Sequence, residues 1–77
     1  MCKRWKVMDE RAQLVLAERH IAEAERRIAE QERRVLSLSD LGGDTAEAQR
    51  LLEAFRATLK ELKVHRQLIV ERLARSS

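Results

Sequence analysis

Twice along this chain, apolar residues recur at alternating spacings of three and four, and the only two glycines of the sequence separate the two runs. The first run is Leu14, Ala17, Ile21, Ala24, Ile28, Gln31, Val35 and Leu38. That spacing places one residue in every half-heptad on a single side of a helix. Leu14, Ile21, Ile28 and Val35 take the a positions, and Ala17, Ala24, Gln31 and Leu38 the d positions. The second run is Ala48, Leu52, Phe55, Leu59, Leu62, Arg66, Ile69 and Leu73, with Leu52, Leu59, Arg66 and Leu73 at a. Neither run has a period of two, and both are rich in Ala, Glu, Leu and Arg, so strands are excluded.

Between the runs, Leu41-Gly42-Gly43-Asp44-Thr45-Ala46-Glu47 reads as a stop followed by a start. Gly42 or Gly43 can take the left-handed conformation that ends a helix, and Asp44 with Glu47 resembles a capping box. The spacing predicts helices over about 9–40 and 45–74, joined by a turn at 41–44, with residues 1–8 as an extension in which Trp5, Val7 and Met8 could cap the open end. So short a turn makes the helices antiparallel neighbours. Folding the chain between Leu41 and Gly42 sets Ile28 against Phe55, Ala24 against Leu59, Ile21 against Leu62 and Leu14 against Ile69. Large residues meet small or medium ones nearly throughout.

Charges offer an independent check on this register, because antiparallel helices set e positions against e positions. Glu18, Glu25 and Glu32 occupy e on the first helix, and Arg56 and Lys63 occupy it on the second, so acid meets base. On the opposite edge, His20, Arg27 and Arg34 confront Thr58, His65 and Arg72, and no acid answers the arginines. Gln31 and Arg66 interrupt the seams with polar groups, which suits a role in fixing register and oligomeric state. Arg66 is expected to find Glu10, Glu18 or a carboxylate of a second subunit.

The hairpin seam leaves other aliphatic residues over. Val15, Ala22, Ala29 and Leu36 form a second heptad-spaced line on the first helix, and Leu51, Val64 and Leu68 lie off the seam on the second. One hairpin cannot cover them all. With 77 residues, 38% of them charged, the chain also lies below the size of roughly 80 residues at which a lone core supplies more than about 3–5 kcal/mol. A single cysteine, Cys2, excludes an internal disulfide. It reads as a terminal residue in a reducing compartment, in preference to a thiol activated by Lys3 and Arg4. The expected staple is therefore self-association, as a homodimer forming an antiparallel four-helix bundle. Scattered surface aliphatics on a monomer are the competing reading.

Several functions are excluded on similar grounds. Leu14-Val15-Leu16-Ala17, the longest apolar stretch of the first half, is far short of the roughly 20 residues that span a bilayer. The basic start at Lys3, Arg4 and Lys6 meets Asp9, Glu10 and Arg11 before any signal-peptide core, so a cytoplasmic location without membrane contact is expected. No phosphate loop, nucleophile elbow or paired-histidine motif occurs, and neither enzyme activity nor a cofactor is expected. His20 and His65 face one another at g positions, with Glu61 one turn before His65. Two imidazoles and a carboxylate can ligate a metal, but no further ligand is dictated, and exposed edge residues are the preferred reading.

Arg19, Arg26, Arg27, Arg33 and Arg34 cover much of the outer face of the first helix and favour a nucleic-acid partner. Against this stand Glu23 and Glu30, spaced four residues from Arg19, Arg26, Arg27 and Arg34, where intrahelical pairs are expected. The net charge of +3 arises from interleaved signs, and the aromatic platforms of single-strand binders are missing.

The segments His20-Ile21-Ala22-Glu23-Ala24-Glu25-Arg26-Arg27-Ile28 and Gly42-Gly43-Asp44-Thr45-Ala46-Glu47-Ala48, followed by His65-Arg66-Gln67-Leu68-Ile69, resemble a group of short uncharacterised alphaproteobacterial proteins. The likeness spans most of residues 13–73 and implies a bacterial cytoplasmic hairpin, with no activity attached. In architecture alone, the chain is also similar to Rop-like dimers of helical hairpins. The sequence thus points to an all-α hairpin that serves as a non-catalytic oligomerisation or protein-interaction module. A small nucleic-acid-binding regulator is the alternative, and metal binding a third.

Overall fold

A computed structural model describes residues 9–76, which form two α-helices of 31 residues each: α1, Glu10–Asp40, and α2, Ala46–Ser76. The expected extension at residues 1–8, with Cys2 and the cap formed by Trp5, Val7 and Met8, lies outside the described residues. Each helix is about 46 Å long at 1.5 Å per residue. They pack side by side as the antiparallel hairpin that the seams require.

The helix ends follow from short-range hydrogen bonding. Asp9 caps α1: its Oδ1 accepts from the Arg11 amide at 3.1 Å, and its carbonyl accepts from the Gln13 amide at 2.9 Å. At the other end, the Gly43 amide donates to the Leu38 carbonyl at 2.8 Å and the Gly42 amide to the Ser39 carbonyl at 3.0 Å. This nested pair is a Schellman motif, and it requires a left-handed residue at its turning point. Gly42 supplies it, with φ +74°. Of the two glycines, Gly42 is therefore the one whose missing Cβ matters for backbone conformation.

The start of α2 differs by one residue from the expected capping box. The Thr45 carbonyl accepts the first intrahelical bond, from Gln49 at 2.8 Å, so Thr45 holds the cap position. Asp44 Oδ1 takes the Ala46 amide at 3.0 Å in an Asx-type turn. Glu47 consequently sits one place too early to reach back as the partner of a box. The Schellman turn uses both glycines, and the chain re-enters helix a residue later than the Asp44–Glu47 spacing suggests. At the far end α2 runs to Ser76, two residues beyond expectation, with no glycine or proline to stop it.

All sixteen seam positions are buried or half-buried. Ala17, Ile21, Leu52 and Ile69 form the fully covered core, and Ile69 is completely inaccessible. Both expected cross-helix contacts along the e edge are present. Glu32 Oε2 lies 2.9 Å from Arg56 Nη2, and Glu25 Oε2 lies 3.9 Å from Lys63 Nζ. Arg56 also reaches Glu53 on its own helix, at 3.3 Å. The third acid of the row, Glu18, is level with Val70, which remains partly exposed. These pairs are half-exposed, so each contributes a few tenths of a kcal/mol at most, and their value lies in specifying register.

The two polar seam residues behave differently. Gln31 is buried, and its Nε2 donates to the Ala48 carbonyl at 2.9 Å. That carbonyl belongs to α2 of the same chain, so Gln31 specifies how the hairpin closes. Its partner lies inside the hairpin, and no second subunit is needed to satisfy it. Arg66 is half-buried, level with the small Ala17. Among the described residues it makes no ion pair, and the expected contact with Glu10 or Glu18 is not formed.

Candidate functional site

With the seam consumed by the hairpin, the surfaces available for function are the sides of the rod. Val15, Ala22, Ala29 and Leu36 occupy the b positions of α1. At 100° per residue, b lies about 130° around the helix from the middle of the seam, on the side of the glutamate edge. Val15 is 60% exposed and Leu36 63%, whereas Ala29 is half-covered. The large residues thus stand at the ends of the line and the alanines in its middle. On one flank runs the e row, Glu18, Glu25 and Glu32, and on the other the f row, Arg19, Arg26 and Arg33.

The leftover aliphatics of α2 do not extend this line. Leu51 borders a groove with Gln31, Arg34, Leu38, Asp44, Glu47 and Ala48, which places it on the opposite edge, beside the turn. Leu68 holds a c position on that same side, and Val64 an f position on the outer surface of α2. Leu51, Val64 and Leu68 are 43%, 57% and 47% exposed. The α2 positions on the side of the α1 line are instead Glu53, Lys60, Gln67, Arg56 and Lys63, with Val70 the one aliphatic among them. The seven aliphatics expected to act together are therefore split between separate faces. Val70, at the e edge, and Leu41, at the turn, are exposed apolar residues that sequence reasoning passed over. Val70 was detectable as the one aliphatic residue in the row that holds Arg56 and Lys63.

The cationic edge carries a cavity of about 200 Å³. Ala24, Phe55 and Leu62 make its floor, and His20, Glu23, Arg27 and Thr58 its rim. The small Ala24 opens the space between its larger neighbours. His65 and Glu61 are exposed and do not line it. Among the described residues, no group of three or more His, Cys, Asp or Glu is placed to hold a metal ion, so His20, His65 and Glu61 do not form a ligand cluster.

The intrahelical pairs expected of Glu23 and Glu30 are not formed. Among the described residues, Arg19, Arg26, Arg27, Arg33 and Arg34 lie outside ion-pair distance of any carboxylate. All five guanidinium groups are exposed, and they cover the outer face of α1 between the apolar line and the cavity. No described helix is long and apolar enough to cross a membrane.

No protein family matches the chain, and no curated protein or solved structure is significantly similar to it.

Proposed function

We propose that the chain is a non-catalytic helical module that works by self-association, presenting a charged rod to other macromolecules. The observation that carries this is the exposed apolar line on α1. Val15 and Leu36 stay uncovered although every seam position is used, and they repeat at the heptad spacing that a second helix recognises. Small size supports the same reading, because a two-helix hairpin has little interior of its own. A cytoplasmic role without a cofactor or membrane insertion belongs to this proposal, as does kinship with short alphaproteobacterial hairpins.

Light scattering over a wide concentration range, with circular dichroism on the same samples, tests it. The expected result is the mass of two chains, falling to one for the double variant Val15→Asp/Leu36→Asp with helix content retained. A wild-type chain that is monomeric and fully helical at every concentration overturns the proposal.

A second reading, a nucleic-acid-binding regulator, is favoured by one finding: the five α1 arginines are not neutralised by Glu23 and Glu30. It requires retardation of DNA or RNA in a gel at low salt, with affinity falling steeply as salt rises. A chain that shifts neither at low salt does not bind nucleic acid.

A further inference from the structure

The cavity between the helices lies on the edge of the hairpin away from the apolar line of α1, and two kinds of residue surround it. Its floor is apolar, made by Ala24, Phe55 and Leu62. Phe55, the largest apolar side chain of the seams, is only half-buried there. The space exists because Ala24 is small and because Thr58, on the α2 rim, is short. The other residues of that α2 row, Leu51, His65 and Arg72, are all longer. At about 200 Å³ the cavity is larger than the roughly 150 Å³ that admits a benzene ring to an apolar protein core. It therefore has room for one ring or one branched chain.

The rim carries both signs of charge. Glu23 and Arg27 stand one turn apart on α1, in the order and spacing that favour an intrahelical pair. Nevertheless, among the described residues neither lies within ion-pair distance of the other or of any opposite charge. Glu23 is half-buried where it lines the cavity, and Arg27 is exposed at the mouth. A simple carboxylate seated here would satisfy Arg27 and be repelled by Glu23, and a simple amine would meet the reverse. A zwitterion satisfies both groups.

We propose that this cavity binds a free α-amino acid with a large apolar side chain. The ammonium and carboxylate of such a ligand leave the same carbon, so they reach two opposite charges set about 6 Å apart along the helix. The side chain then covers the exposed part of Phe55 and Leu62, as an aromatic ring does favourably edge to face. The Thr58 hydroxyl and the His20 imidazole stand at the mouth, where each can hydrogen-bond the ligand's charged end. An apolar lining with a few convergent polar groups is the common pattern of small-molecule sites. The site is complete within one hairpin and uses neither Val15 nor Leu36, so it stands apart from the self-association reading.

The test is a titration of the isotope-labelled full-length chain with L-phenylalanine, followed by two-dimensional amide NMR. Saturable shifts are expected at Ala24, Phe55, Thr58 and Leu62, with a dissociation constant of about 1 mM, as suits a ligand of roughly a dozen non-hydrogen atoms. Phenylpropanoate and phenethylamine, which each lack one of the two charges, should bind about tenfold more weakly. L-alanine, which lacks the ring, should produce no saturable shift. Arg27→Gln and Glu23→Gln lie outside the seam and should each weaken L-phenylalanine binding about tenfold, with helix content by circular dichroism kept. Shifts that do not saturate, or that centre elsewhere on the hairpin, overturn the site. Equal binding of the one-charge compounds, or unchanged binding in both variants, overturns its assignment to an amino acid.

Discussion

The turn half and the open half of the hairpin are held in different ways. Near the turn the chain spends specific polar contacts: the Schellman bonds at Gly42 and Gly43, Gln31 on the Ala48 carbonyl, and Glu32 on Arg56. Toward the open end the hairpin closes over the buried Ala17 and Ile21 and the inaccessible Ile69. There the polar seam residue, Arg66, has no ion-pair partner among the described residues, and Glu18 is level with Val70 in the row where Glu25 and Glu32 meet cations. The difference teaches that register is specified beside the turn, where directional bonds admit one alignment. Farther from the turn, burial of the seam supplies the cohesion, and the Glu25–Lys63 pair repeats the same register along the e edge.

The largest effect is expected from breaking the open half. Ile69→Ala should cost about 3 kcal/mol by losing buried surface and leaving a cavity, enough to remove most of the helix signal of so small a domain. A urea or thermal titration followed by circular dichroism measures this. If Ile69→Ala melts like the wild type, burial does not dominate the open end.

Next comes the polar lock near the turn. Gln31→Ala removes a buried side chain and its bond to Ala48, with an expected loss of about 1–2 kcal/mol. Because Ala48 keeps its intrahelical partner, the more telling readout is register. Amide exchange across 48–56 should quicken in Gln31→Ala and hold its rate in Ile21→Val, a core change of modest cost. Equal exchange in both would show that Gln31 is merely a filler of space.

The two glycines sharpen the comparison further. Gly42→Ala puts a Cβ on a residue at φ +74°, with an expected cost of about 1 kcal/mol. In Gly43→Ala the new Cβ comes to 3.4 Å from the Leu38 carbonyl, an ordinary contact, and the effect should be a few tenths of a kcal/mol. Similar melting temperatures for the two variants would contradict the assignment of Gly42 as the turning residue.

The smallest expected change is a gain. Arg66→Leu replaces a half-buried cation that has no ion pair among the described residues with a residue suited to its seam position level with Ala17, and should add up to about 1 kcal/mol. A loss on this substitution would show that the guanidinium does something the hairpin alone does not reveal.

Much of the fold was legible before any coordinates. Heptad spacing located both helices, Gly42-Gly43 located the turn, and the facing of Glu25 and Glu32 with Lys63 and Arg56 set the register. The candidate site was legible only in part. Along the line Val15, Ala22, Ala29 and Leu36 the two large residues are exposed, but Leu51, Val64 and Leu68 fall on other faces. Each was recognisable as lying off the seam, and being off the seam does not say on which side. The expected Glu–Arg pairs on α1 also failed to form. Spacing of four residues permits such pairs without enforcing them, and in water they gain only a few tenths of a kcal/mol.

Periodicity, glycine placement and charge order are properties of the chain read along its length, and they sufficed for the helices, the turn and the register. A repeated local pattern admits few ways of burying its apolar face. Whether Asp44 or Thr45 caps α2, where the Gln31 amide donates, and which aliphatic residues share a surface were resolved only by the packed hairpin. Those outcomes depend on competition between groups brought together in space, separated by fractions of a turn and by energies smaller than sequence spacing can rank.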